Sequence, residues 1–219
     1  MQLREANAKL IRKLLGVIGE KIVCELRGFS CLDLETTPQA RKNIVIARSF
    51  GRPLMQLEDI EEALSNYTAT AMTKMRKQRS KLQGISVFLV TNWYLEDQIF
   101  YKNSATFYFD LATENTMQII TVAKQCLKKI FKNDYRYKKV GIALLDLVDN
   151  KYEQDSLLTS RLEEQKNSNI MKAIDAINNK MGKNTIFFAS QGIRRDWQAK
   201  SVRKSPNYIG DWNQLITAS

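Results

Sequence analysis

The residue types that could do chemistry here are arginine, lysine, serine and glycine gathered at the end of an apolar run. Lys42 to Pro53 reads KNIVIARSFGRP. Ile44, Val45 and Ile46 are β-branched and suit a half-buried strand, while Arg48, Ser49, Gly51 and Arg52 add charge, a hydroxyl and a permissive backbone where that strand ends. Such a strand end can track phosphates, because cations and hydroxyls bind phosphate oxygens whatever the base sequence. The same residues also fit an ordinary edge strand with solvated arginines. The chain contains no histidine, which excludes Ser-His-Asp and Cys-His nucleophile systems, histidine zinc sites and histidine general bases within it. Cys24, Cys31 and Cys126 are too widely spaced to read as a zinc site, and neither glycine-rich phosphate cradle, the P-loop or the dinucleotide fingerprint, occurs. An active site confined to this chain would rest on carboxylates or lysines.

Composition points to a polyanionic partner. The 219 residues carry a formal charge of +11, and the basic excess is spread along the chain rather than confined to one tail. With 44% hydrophobic and 26% charged residues the sequence describes a globular protein with a real core. No apolar run approaches the roughly 20 residues of a membrane span. The opening MQLREANAKL lacks the apolar centre of a signal peptide, and the few cysteines do not form a disulfide framework, so the expected location is cytoplasmic, with no membrane partner.

The elements that must position the basic residues follow from periodicity. Ile11, Leu14, Leu15, Ile18, Ile22 and Leu26 share one helical face, Gly16 and Gly19 predict a break within it, and Gly28 fits a C-cap. Residues 33–42 carry turn chemistry and read as a linker. From 43 to 149 the order is strand, helix, strand, strand, helix, strand. The first helix begins near Leu57 with a stripe of Ile60, Leu64, Tyr67, Ala71 and Met75. Its acidic start, Glu58, Asp59, Glu61 and Glu62, and basic end, Lys74, Arg76 and Lys77, complement the helix dipole without any metal. Strands are predicted over Ile85 to Thr91, Ala105 to Leu111, and from Tyr135 through Leu144. In the third, Ala105, Phe107, Phe109 and Leu111 are expected on the buried side. The second helix, near 114–131, directs Met117, Ile120, Leu127 and Phe131 inward. In the last strand, Val140, Ile142 and Leu144 point inward, and Gly141 and Ala143 would let a sugar-phosphate backbone approach the other face.

This order is an α+β, split β-α-β (βαββαβ) arrangement, an antiparallel four-stranded sheet with two helices on one face, preceded by short helices and followed by a small α/β extension. Arg48, Lys102, Arg136, Lys138 and Lys139 would feed the free face and make it a nucleic-acid platform; alternatively that face packs on another domain. Residues 150–168 read as a polar tether containing Gln154, Leu157 and Leu158, a short peptide able to place two apolar side chains in a groove. A helix is predicted over Asn169 to Met181, with Ile170, Ile174 and Ile177 on one face, and a short strand over Thr185 to Ala189. Residues 191–204 hold Arg194, Arg195, Lys200, Arg203 and Lys204 around Trp197, a pattern that fits either nucleic acid or a solvated tail anchored by the indole.

IARSFGRPL with its following acidic helix, KNSATFYFDLAT, YRYKKVGIALLDLV, MKAIDAINNKMGKNTIFFASQGI and SPNYIGDWNQL together resemble the C-terminal half of UmuC-type proteins, the Y-family lesion-bypass subunits of bacterial DNA polymerase V. The match runs in order over nearly the whole chain. It implies that residues 1–32 correspond to the end of a thumb, 43–149 to a little finger domain that grips primer-template DNA, and 169–219 to a C-terminal extension. The implied DNA contacts are Arg48, Ser49, Arg52, Lys102, Asn103, Ser104, Arg136, Lys138 and Lys139. Gln154, Leu157 and Leu158 fall where such proteins carry a sliding-clamp peptide, with Leu158 in place of its usual final aromatic.

The resemblance further implies error-prone translesion synthesis in the SOS response. DNA is the implied partner, together with the sliding clamp, UmuD-type subunits and a recombinase filament. Family catalysis uses Mg2+ held by palm carboxylates, and no palm residue matches here. No cofactor is therefore expected in this chain, which by itself is not expected to synthesise DNA; Asp146 and Asp149 read as caps. Two other classes remain open: an RNA-recognition-like module, since such domains share the βαββαβ order, and a protein-interaction fragment docking on a clamp or recombinase.

Overall fold

The structure, a computed structural model, describes residues 2–32, 34, 40–94, 99–150, 161–199 and 205–215. It divides into two compact units, Met1–Ala40 and Arg41–Ser219.

In the first unit a single-turn helix, α1 (Gln2–Glu5), precedes α2 (Ala8–Leu26). Asn7 caps α2 by accepting the Lys9 N–H at 3.0 Å. Gly16 leaves helical geometry at φ 75° and ψ −170°, so the break expected from the glycines is a kink inside one helix. Gly28, at φ 91°, closes the C-terminus; the Phe29 N–H reaches back to the Cys24 carbonyl at 3.1 Å. The Arg27 guanidinium donates to the Arg4 and Ala6 carbonyls at 2.8 and 2.7 Å, folding α1 back on α2. The predicted apolar stripe forms, yet Leu14 and Ile18 remain 69% and 73% exposed.

The second unit begins with β1 (Ile44–Leu54), α3 (Leu57–Lys77), β2 (Ser80–Thr91) and β3 (Lys102–Thr113). It continues with α4 (Thr116–Ile130), β4 (Tyr137–Asp149) and α5 (Arg161–Met181). The strands form one antiparallel sheet in the order β1-β4-β2-β3. β1 and β2 both run antiparallel to β4, which lies between them, so the split β-α-β expectation holds, with β4 and β2 central.

Register fixes the two faces of this sheet, because residues directly opposite across an antiparallel ladder point to the same side. One set of rows reads Ile44, Leu144, Ile85, Phe107 and then Ile46, Ile142, Val87, Ala105. It packs under α3 and α4 and, β3 apart, is buried. The stripe Ile60, Leu64, Tyr67, Ala71 and Met75 of α3 is buried as predicted. In α4 the side chains of Ile119, Ile120, Ala123, Cys126, Leu127 and Ile130 are buried. Met117, expected inward, is exposed, because Asn115 starts the helix by accepting the Met117 N–H and sets Met117 on the first, solvated turn. Each fully buried aliphatic contributes about 2 kcal/mol relative to exposure.

Three further expectations need correction. β3 is an edge strand, so Ala105 and Phe109 are only half-buried and Phe107 is exposed. Thr185 to Ala189 forms no strand: its residues leave α5 irregularly and enter a 3-10 turn at Ala189–Gln191. The extension, as far as it is described, is therefore helix and turns. Finally, Gly141 leaves no hollow for a ligand backbone, since the Phe88 ring and the Ala47 methyl occupy the space a side chain there would take. Gly141→Val should then cost about 1–3 kcal/mol by overpacking, read as a lowered denaturant midpoint at unchanged slope; an unaltered midpoint would show that Phe88 swings away freely.

Candidate nucleic-acid interface

The basic residues singled out in the sequence converge at one end of the sheet. Ser49 stands opposite Lys139, Lys139 opposite Val90, and Val90 opposite Lys102, so a single row crosses all four strands. The next row, Ala47, Gly141, Phe88 and Ser104, is parallel to it. Both lie on the sheet face away from α3 and α4. That face is open among the described residues: Ser49, Lys102, Ser104 and Thr106 are exposed, and Val45 and Tyr108 are each about 60% exposed. Hydroxyl and cationic side chains at Ser49, Lys102, Ser104 and Lys139 share this surface with the apolar and aromatic Val45, Phe88, Val90 and Tyr108, and the first group suits a sugar-phosphate chain.

The other candidates reach the same end of the sheet by different routes. Arg48 opposes Val140 and Asn103 opposes Leu89, rows that belong to the helix side. Arg48 there lies near Tyr67, whose phenol burial pushes up to about 12 while the guanidinium pulls it down. The Asn103 amide donates to the Tyr101 hydroxyl at 3.0 Å. These two are not on the open face, contrary to the expectation that Arg48 feeds it; period-two alternation from Ile44 and Ile46 already carried that signal. Lys138 lies where β4 slips by one residue against β2, and its ammonium donates to the Phe50 carbonyl at 3.3 Å. Arg136 is exposed just before β4.

Arg52 lies in a wide irregularity of β1. Ser49 pairs with Lys139 and Leu54 with Tyr137, so β1 advances five residues while β4 advances two. The Gly51 N–H there donates to the Trp197 carbonyl at 2.9 Å, and a side chain at Gly51 would strike the Gln198 backbone. The permissive backbone expected to admit phosphate instead admits this chain's own extension. Trp197 is buried, meets Tyr67 edge-on at 5.5 Å, and donates its indole N–H to Glu62 at 2.8 Å. Of the two readings of Trp197, the anchor is the one formed.

The acidic residues are likewise structural. Glu61 is 3.3 Å from the Lys124 ammonium and 3.6 Å from that of Lys128, tying α3 to α4. Asp146 and Asp149, expected as caps, lie in β4 instead; Asp146 sits there at φ 50°, with its backbone N–H donating to the Asn43 side chain at 3.1 Å. Among the described residues no group of three or more His, Cys, Asp or Glu side chains is placed to hold a metal, and no helix is long and apolar enough to cross a membrane. Gln154, Leu157 and Leu158, and Lys200, Arg203 and Lys204, lie outside the described residues.

With this geometry in view, residues 41–157, more than half of the chain, match the family model described as the impB/mucB/samB family C-terminal domain. The chain belongs to this family. It corresponds to the C-terminal, little finger region of UmuC- and MucB-type Y-family polymerase proteins, the SOS mutagenesis group. MucB of Salmonella typhimurium is 36% identical over 219 residues, 100% of this chain and 52% of that protein. UmuC of S. typhimurium strain LT2 is 33% identical over 216 residues, 99% and 51% respectively. The chain spans about half the length of these curated relatives. Residues 168–218 match a second model, described only as a domain of unknown function. Among solved structures, DinB from Sulfolobus solfataricus overlaps with a TM-score of 0.41 at 15% identity, over 68% of this chain and 41% of that one.

Proposed function

We propose that residues 43–149 hold primer-template DNA by its phosphates, independently of sequence, as the C-terminal part of an error-prone translesion polymerase. The observation that carries this is the open row Ser49, Lys139, Val90 and Lys102, flanked by Ser104, with Arg52, Arg136 and Lys138 at the same end of the sheet. Arg48 and Asn103 belong to the proposal as contacts around the sheet end rather than on its face. Residues 1–32 then represent the end of a thumb, 33–42 a linker, 150–168 a tether whose last part, from Arg161, already belongs to α5 rather than to a polar linker, and 169–219 the extension. Docking on a sliding clamp through Gln154, Leu157 and Leu158, and on UmuD-type subunits or a recombinase filament, belongs to the same reading. So does Mg2+ catalysis by a palm elsewhere in such a polymerase.

The RNA-recognition alternative loses support. Those domains stack bases on exposed central-strand aromatics, whereas the stretch that loosely resembles their signature, Lys102 to Phe109, lies on edge strand β3, and Phe88 on central strand β2 is half-buried with its ring against Gly141. The test is fluorescence anisotropy with a primer-template duplex across a salt series. Lys102→Glu/Lys139→Glu should weaken binding to every sequence by about 10- to 100-fold and reduce the salt slope by about 2, one for each phosphate no longer neutralised. An unchanged slope would remove the row from the interface.

A further inference from the structure

Beyond the basic row, the β2 to β3 connection carries side chains that the core does not use. Thr91 and Tyr101 close its base: the Thr91 N–H donates to the Tyr101 carbonyl at 2.9 Å, and the Tyr101 N–H donates back to the Thr91 hydroxyl at 2.8 Å. Just past this clamp Trp93 is 71% and Tyr94 88% exposed. Phe100 supports the indole from the other arm of the connection, its ring edge-on at 5.0 Å. Tyr94 is held by an N–H bond to the Asn92 side chain at 3.2 Å. Exposing two adjacent large aromatics forfeits a few kcal/mol of burial, and a soluble surface rarely presents such a pair without a use.

Position says what that use is. Val90 and Lys102 are paired in the basic row, and Trp93 follows Val90 by three residues, in the turn just past the end of β2 and so at the same end of the sheet. A nucleic-acid strand whose phosphates follow Lys102, Lys139 and Ser49 would, on leaving the sheet at β3, meet aromatic rings within one or two nucleotides. Bases inside a duplex are already stacked on one another and present no free face. Unpaired bases do, and aromatic platforms beside a cationic track are the chemistry that binds them without regard to sequence.

We infer that Trp93 and Tyr94 form a stacking platform for an unpaired segment of DNA next to the duplex held by the sheet. The inference rests on the proposed DNA-binding reading and adds to it a preference for a duplex with a single-stranded overhang over a blunt one. The platform supplies affinity for bases as a class, and the row supplies affinity for phosphate.

The test uses the full 219-residue chain, a blunt duplex, and the same duplex with an overhang of about six nucleotides carrying 2-aminopurine at its first unpaired position. The unaltered protein should bind the overhang substrate about five-fold or more tightly than the blunt one and quench the 2-aminopurine. Trp93→Ala/Tyr94→Ala should abolish both the preference and the quenching while leaving blunt-duplex affinity and the melting temperature unchanged, since both side chains are exposed. Trp93→Phe should keep most of the preference. Equal affinity of the unaltered protein for the two substrates, or a preference that survives the double substitution, would overturn the platform while the duplex reading stands. Failure to bind even the blunt duplex at low salt would overturn both.

Discussion

Arg76→Met should destabilise the second unit by about 3 kcal/mol, and adding Asp175→Leu should restore most of the loss. Arg76, at the end of α3, is 9% exposed at its side chain, and its Nε and Nη2 meet the two Asp175 carboxylate oxygens of α5 at 2.6 and 2.9 Å. Its remaining nitrogen donates to the Thr116 hydroxyl at 2.7 Å and the Glu114 carbonyl at 3.4 Å. One guanidinium therefore joins α3, the start of α4 and α5. Removing it strands the carboxylate and leaves an oxygen of the α4 first turn without its donor. Breaking one partner of a buried, bidentate pair costs about 3–5 kcal/mol, and the 21% exposure of Asp175 places the loss at the lower end. Removing both charges trades the pair for apolar contact, which is often near neutral. Chemical denaturation of the two single variants and the double variant gives the coupling directly. Additive losses would mean that the pair is not shared.

That ion pair illustrates what the sequence did and did not carry. Local pattern was enough where one element meets one face. The stripe on α3 and the alternation Val140, Ile142, Leu144 read correctly because burial repeats with the period of the backbone. Gly28 was legible as a cap because a left-handed φ follows from its place after the last apolar residue. Arg76 and Asp175, 99 residues apart, obey no period at all. By local pattern Arg76 is one of three basic residues at a helix end, with nothing to single it out.

Strand order was the larger loss. Ala105, Phe107 and Phe109 alternate as a core strand should, and nothing local says that β3 pairs on one side only. The site was half legible for the same reason. The types of the binding candidates could be read, and their gathering at one sheet end followed from the antiparallel order. Their division between two faces depends on register and on the slips at Phe50 to Pro53 and Lys138. Gly51 and Gly141 show the limit most clearly. A glycine in a strand announces close approach, but not whether a ligand, the extension or a phenylalanine ring makes it.

The extension's own attachment gives the other large expected effect. Trp197→Ala should cost about 3–5 kcal/mol of docking free energy, the range for deleting a buried aromatic. Three contacts converge on this residue: the ring on Tyr67, the indole N–H on Glu62, and the main-chain carbonyl accepting from Gly51. Only the last survives the substitution, and it survives on backbone that the ring no longer holds in place. Glu62 also lies against Gly192, where any side chain would collide with its carboxylate, so the two ends of the 192–197 segment grip one residue of α3. Loss of the ring should therefore free the segment while the sheet and the α3 and α4 core stay folded. Limited proteolysis should cut near Arg194 and Arg195 in the variant under conditions that leave the unaltered chain intact. Trp197→Phe, which keeps the ring contact and loses the indole N–H, should fall between the two. Undiminished protection of the alanine variant would mean that the Arg76 to Asp175 pair and the backbone bond at Gly51 hold the extension without the indole.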